Sequence, residues 1–184
     1  MTSPEEQQGR IHAENPFRDP PEARSPARRL RGRLPAPVTL WTAQGVEGPT
    51  GLTVSSVLVA EGEPAVILGL ISSTADLYEA ILESRRFLVH VLEHSDKELS
   101  ERFAGLRPAP GGLFEGVTVE DSPFGPVLTD LQTRAYCSLV DARETGYHQL
   151  VTGHIEDLRV DEVPTPLVHL RGKYRDLDPN HDDL

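Results

Sequence analysis

From Val38 onward, short apolar runs alternate with clusters of turn residues. Val38-Thr39-Leu40-Trp41-Thr42 is β-branched and aromatic, and it stops at Gln44-Gly45-Val46-Glu47-Gly48-Pro49, which predicts a strand and then a turn. A second strand is predicted over residues 51–60, ending at Glu61-Gly62-Glu63-Pro64. Residues 65–71 are apolar without interruption, the pattern of a strand buried on both faces. The period then lengthens. Leu77, Tyr78, Ile81 and Leu82 share one face of a helix over about residues 75–84, with Ser73 or Thr74 as its cap.

Residues 87–92 read as strand again. Ser95-Asp96-Lys97-Glu98 has the form of a capping box, and the helix it opens carries Leu99 and Phe103 and stops by Gly105. A Pro/Gly loop spans 107–112. Two long strands, 133–141 and 147–160, are joined by Arg143-Glu144-Thr145-Gly146 as a hairpin, and 166–174 supplies the last strand. Six or seven strands with two short helices and no βαβ alternation predict a mainly β, antiparallel barrel.

Charge changes the picture at the ends. Residues 1–33 hold seven arginines against five acids, a local balance of +2, in a proline-rich segment with few apolar side chains. Such a stretch cannot offset its ordering entropy and is expected to be a disordered tail. The rest of the 184-residue chain balances to −13 within a total of −11, and 175–184 reads as an acidic tail. A body this acidic argues against nucleic-acid binding. No apolar run approaches the roughly 18 residues of a membrane span, and no signal peptide is evident. The single cysteine, Cys137, fits a reducing cytoplasm.

Most catalytic patterns are absent. There is no G-x-S-x-G elbow, no phosphate loop and no H-E-x-x-H, and the glycines at 45, 48 and 51 read as turn residues. His90 and His94 are four apart but fall in a strand pattern, so they do not converge, and no metal site is expected. Hydroxyls say more. Thr53 and Ser55 fall on one strand face with Ser56 opposite, and Ser72-Ser73-Thr74 sits where a strand ends and a helix opens. Hydroxyls beside the orphan amides of a helix N-terminus suit an anion, although the same residues equally suit simple capping. Gly146-Tyr147-His148 offers a ring and an imidazole to a planar ligand, and taken alone it reads more readily as a hairpin turn with a surface histidine.

The order of these segments is more specific than any one of them. Trp41-Thr42, Gly51-Leu52-Thr53-Val54-Ser55-Ser56, the run to Leu70, Phe87 to Leu92, Leu99-Ser100-Glu101-Arg102-Phe103-Ala104, Gly146-Tyr147-His148 and Gly153-His154-Ile155 follow one another as in the flavin reductase-like family. The resemblance spans nearly all of 34–174. It implies a six-stranded antiparallel Greek-key split barrel, a homodimer, and FMN bound near the subunit interface. It assigns Leu52, Thr53, Val54, Ser55 and Ser56 to the isoalloxazine and ribityl chain. Leu70, Ile71, Ser72, Ser73 and Thr74 fall to the phosphate arm, and His148 with Tyr147 to the catalytic signature beside the nicotinamide. The implied activity is hydride transfer from NADH or NADPH to FMN, with supply of reduced flavin to a monooxygenase partner.

The sequence departs from the family pattern at Tyr147, where aspartate is usual, at Ser72, where many members have lysine, and at His90, where many have asparagine. Glu63-Pro64 replaces a Pro-Pro pair. Loss of a cation at the phosphate arm calls for an arginine from elsewhere, with Arg85, Arg86 and Arg102 as candidates. The alternative function is a non-catalytic FMN-binding split-barrel protein, a carrier or tight flavoprotein with little NAD(P)H oxidation. Other ligands on the same barrel, such as a deazaflavin or haem, complete the range.

Overall fold

The computed structural model describes residues 26–175 and 177. The expected tails fall mostly on residues 1–25, 176 and 178–184, which lie outside the described residues. Of the N-terminal tail, Pro26–Arg31 forms a short helix, α1, exposed along its whole length, where the sequence predicts no structure. Its last turn carries Arg28, Arg29 and Arg31, which complements the helix dipole.

The unit that begins at Pro35 is mainly β. Its strands are β1 (Ala36–Pro37), β2 (Thr39–Gly45), β3 (Gly48–Val54), β4 (Val57–Ala60), β5 (Val66–Ile71), β6 (Arg86–Val91), β7 (Val119–Ser122), β8 (Gly125–Leu128), β9 (Arg134–Thr145), β10 (His148–Arg159), β11 (Val168–Leu170) and β12 (Lys173–Arg175). Two helices, α2 (Asp76–Ser84) and α3 (Lys97–Phe103), sit among them.

Seven strands form one antiparallel sheet in the order β3-β2-β6-β9-β10-β5-β4. Its two edges, β3 and β4, are separated along the chain by Ser55 and Ser56 alone. Two residues cannot span an open seven-stranded sheet, so the sheet curls until its edges meet. Leu70 N–H donates to Ser56 C=O at 3.0 Å beside that seam. The strand predicted over 51–60 is therefore broken at Ser55-Ser56. Counted as one bent strand, β3 and β4 give the six strands of the expected barrel. The fold is that of a split β-barrel.

The barrel core gathers Trp41, Val54, Ile67, Ile71, Leu77, Ile81, Phe87 and Val151. Trp41 stacks on Phe87 with centroids 5.0 Å apart. A second cluster, with Val38, Leu40, Leu92, Phe103, Leu128 and Leu167, lies on the other face of β2. The first five residues of β2 are consequently all buried.

Local predictions differ from the structure where tertiary packing decides. β5 is buried on one face only, with Ile67, Gly69 and Ile71 inward and Val66, Leu68 and Leu70 half-buried outside. On α2 the buried face is Leu77, Ala80 and Ile81, while Leu82 is exposed. Its N-cap is Ala75, which makes no side-chain cap, so neither Ser73 nor Thr74 caps it. The capping box lies earlier than 95–98. Glu93 N–H donates to Asp96 Oδ2 at 2.8 Å, and the Glu93 carboxylate accepts the reciprocal bond from the Asp96 amide. The last strand is a hairpin, β11–β12, turning on Arg171 and Gly172, both with positive φ. The β7–β8 hairpin was not anticipated. Ser122 Oγ fastens its turn by donating to Gly125 C=O and accepting from Phe124 N–H.

Candidate functional site

Register brings the three singled-out segments to one end of the barrel. Leu150 of β10 pairs with Leu70 of β5 and with Arg143 of β9, while Ser56 lies beside Leu70 through its backbone bond. Ser56, Leu70, Leu150 and Arg143 thus form a row across four neighbouring segments. All lie on the outer face, because Ile71, Val151 and Ala142 pack inward and side chains alternate. One step past the Gln149–Ile71 pair brings His148 level with Ser72, and His148 pairs with Thr145 on its other side. The 55–56 and 72–74 segments therefore lie at the same end of the barrel as His148.

The individual residues divide by exposure. Ser55, Ser56, Ser72 and His148 are half-buried, and Ser73 and Thr74 are exposed. Val54 and Ile71 point into the core, so only their backbone faces the site. Leu52 packs partly on the same core. Thr53 Oγ1 donates to Ser100 C=O at 2.7 Å, fastening β3 to α3, and Ser100 Oγ meets Tyr174 Oη at 2.8 Å. Its hydroxyl proton is committed to structure. Tyr147 does not face the site's hydroxyls from within a strand. It forms, with Gly146 (φ 62°), the two-residue tip of the β9–β10 hairpin and is 99% exposed.

The turn entering α2 is organised by Ser72. Its Oγ lies 3.0 Å from Thr74 Oγ1 and accepts from Thr74 N–H at 3.3 Å, and its C=O accepts from Ala75 N–H. Ala75 C=O accepts from Tyr78 N–H at 2.8 Å, but its side chain offers no acceptor to the amides of the first helical turn. Hydroxyls and uncapped amides together fit the ribityl hydroxyls and phosphate of a flavin mononucleotide. No lysine or arginine occurs between Val66 and Ser84.

The three proposed substitute cations are engaged elsewhere. Arg85, at the far end of α2 with φ 59°, donates to Leu139 C=O. Arg86 donates to Pro123 C=O and lies over the Phe124 ring. Arg102 donates to the carbonyls of Leu113 and Glu115, holding the loop after α3. The sequence reading places Arg143 in the turn between the two long strands. The turn proper is Gly146-Tyr147, and Arg143 is still in strand, paired directly with Leu150.

His90 and Cys137 take no part. His90 is fully buried, its Nδ1 3.2 Å from Leu40 C=O and its Nε2 accepting from Leu128 N–H. Those bonds require the neutral Nδ1–H tautomer, and desolvation lowers its pKa to about 4. Burial, with a smaller contribution from Glu156, pushes the Cys137 thiol up to about 12, which leaves it unreactive. No helix among the described residues is long and apolar enough to cross a membrane.

The curled antiparallel sheet, closed at Ser55-Ser56, defines a split-barrel protein. The flavin reductase like domain matches residues 31–178, and the chain belongs to that family. It is 34% identical over 157 residues to the NADH-dependent FMN reductase AsuE2 of Streptomyces nodosus subsp. asukaensis, covering 84% of this chain and 85% of that protein. It is 33% identical over 151 residues to a flavin reductase (NADH) of Kitasatospora aureofaciens, covering 79% and 77%. Among solved structures, a homolog of nitrilotriacetate monooxygenase component B from Mycobacterium thermoresistibile superposes with a TM-score of 0.76 at 26% identity, covering 86% of this chain and 88% of that one.

Proposed function

We propose that this protein is an NAD(P)H-dependent flavin reductase whose flavin is FMN and whose reductant is NADH. The observation that carries the reading is the placement of 55–56, 72–74 and His148 at one end of the barrel, in a chain that belongs to the flavin reductase-like family. Similarity to an NADH-dependent FMN reductase supports the choice of FMN and NADH.

Flavin and pyridine nucleotide supply the hydride chemistry between them when both are bound. The chain's own work is binding and orientation. Ser55 and Ser56 offer hydrogen bonds along the seam. Ser72, Ser73, Thr74 and the first amides of α2 receive the ribityl and phosphate arm. His148, level with Ser72, positions the pyridine nucleotide without a proton transfer of its own.

The outer apolar face supports a homodimer. Leu58, Val66, Leu68, Leu70 and Leu150 lie together on it, and Leu58 is 71% exposed. A sequence run patterned for burial on both faces is half-exposed in a single copy, and a second copy covers it. Because Leu70 and Leu150 also border the hydroxyl cluster, that dimer shields the site from water. A monooxygenase that consumes reduced flavin is the fitting partner, as the name of the M. thermoresistibile relative suggests.

The test is an absorbance spectrum of the purified protein with added FMN, followed by NADH oxidation with and without FMN. Flavin binding with FMN-dependent NADH loss is expected. Binding without NADH loss would make the protein a flavin carrier, and no binding would overturn the flavin assignment.

A further inference from the structure

We infer that Arg143 is the cation that receives the phosphate-bearing arm of a nucleotide at this site, an inference that rests on the flavin reductase reading above. Substrates and cofactor of that reaction are polyanions, and the chain outside its first 33 residues carries −13. Hydroxyls and amides alone must bind them against that field. A cation within reach is therefore expected, and the segment from Val66 to Ser84 contains none.

Arg143 meets the geometric requirement. It pairs with Leu150, which pairs with Leu70, so it stands two strands from Leu70, about 10 Å away at the usual strand spacing. It points to the outer face with Leu150, Leu70 and Ser56. Its side chain is exposed, and among the described residues no carboxylate lies within salt-bridge distance of it. Other charged groups on the same strand do not replace it. Asp141 shares the outer face but lies two residues back along β9, beside Thr152 and away from the Ser72 end, and Glu144 points to the opposite side of β9 beside Gln149. Arg85, Arg86 and Arg102 hold carbonyls elsewhere.

A guanidinium beside a phosphate gives a charge-assisted bond that a neutral side chain cannot replace. Two phosphates are available, that of FMN and the pyrophosphate of NADH, and the measurement separates them. Flavin fluorescence titrations would compare FMN with riboflavin, which lacks the phosphate, on the parent protein, Arg143→Gln and Arg143→Lys. NADH oxidation would be followed in parallel at saturating flavin.

If the flavin phosphate is the ligand, Arg143→Gln weakens FMN about tenfold, leaves riboflavin unchanged, and Arg143→Lys recovers part of the loss. If the pyrophosphate is the ligand, both flavins keep their affinity and the KM for NADH rises by a similar factor, again partly restored by lysine. Equal loss of FMN and riboflavin would mean a structural role and overturn the proposal, as would no change in any of the three. Failure of the parent protein to bind either flavin would overturn the functional reading itself, and this inference with it.

Discussion

Gly69 of β5 lies flat against the indole of Trp41, so closely that a Cβ at position 69 would stand 2.6 Å from Cη2 of the ring. Trp41 cannot swing away. It stacks on Phe87 at an interplanar angle of 9°, and its Nε1–H donates to Thr39 Oγ1 at 3.0 Å. Gly69→Ala is therefore expected to destabilise the barrel by about 1–3 kcal/mol, the usual cost of overpacking a filled core. Urea unfolding followed by Trp41 fluorescence checks it. An unchanged midpoint would show that the indole has room the structure does not give it.

His90 makes stability depend on pH. It bridges β2 and β8 as a neutral ring, with a folded pKa of about 4 against an ordinary value of 6.5. Below pH 6.5 the unfolded chain binds the proton and the folded chain does not, so stability falls as pH falls, by about 1.4 kcal/mol per unit until pH nears 4. Unfolding midpoints at pH 7 and pH 5 should differ accordingly. His90→Asn keeps a donor and an acceptor but cannot titrate, and its slope over that interval should be shallower than the parent's.

Much of this barrel is legible in the sequence because its strands alternate in the period that burial imposes. What escaped reading depends on contacts between distant segments. Nothing local in Val57-Leu58-Val59-Ala60 says that it pairs with β5 at the edge opposite β3, and the break at Ser55-Ser56 exists only because the sheet closes. Ser73 and Thr74 look like caps, yet the chain enters α2 through Ala75 after Ser72 has organised the turn. At the site, the hydroxyl clusters were visible as composition and Arg143 was not. Its role depends on a hairpin two residues shorter than the turn signals suggest, which keeps it in register with Leu150.

His148 stands level with Ser72 at the same end of the barrel but is assigned to the pyridine nucleotide, so its removal should separate the two ligands. His148→Ala is expected to lower NADH oxidation about 10- to 100-fold, the range for loss of a positioning contact near reacting groups, while FMN affinity stays within twofold. Stopped-flow reduction of bound FMN by NADH gives the first quantity, and fluorescence titration gives the second. Equal losses in both would make the imidazole part of the flavin site or of the fold.

Leu68 tests whether a second copy covers the outer face. It sits between Leu58 and Thr152 on β4, β5 and β10, with its side chain away from the core. In a twofold dimer one substitution changes both sides of the contact. Leu68→Asp removes two leucines from the interface and puts two carboxylates into it, which at about 1.5–3 kcal/mol per lost leucine alone raises the dimer Kd at least 100-fold. Folding of the single chain should survive, since Leu68 is already half-exposed there. Sedimentation velocity at micromolar concentration should show the parent as a dimer and the variant as a monomer with an unchanged far-UV spectrum. The variant should also lose flavin affinity, because Leu70 and Leu150 border both the apolar face and the hydroxyl cluster. A monomeric parent, or a variant that still pairs, would place any interface elsewhere on the barrel.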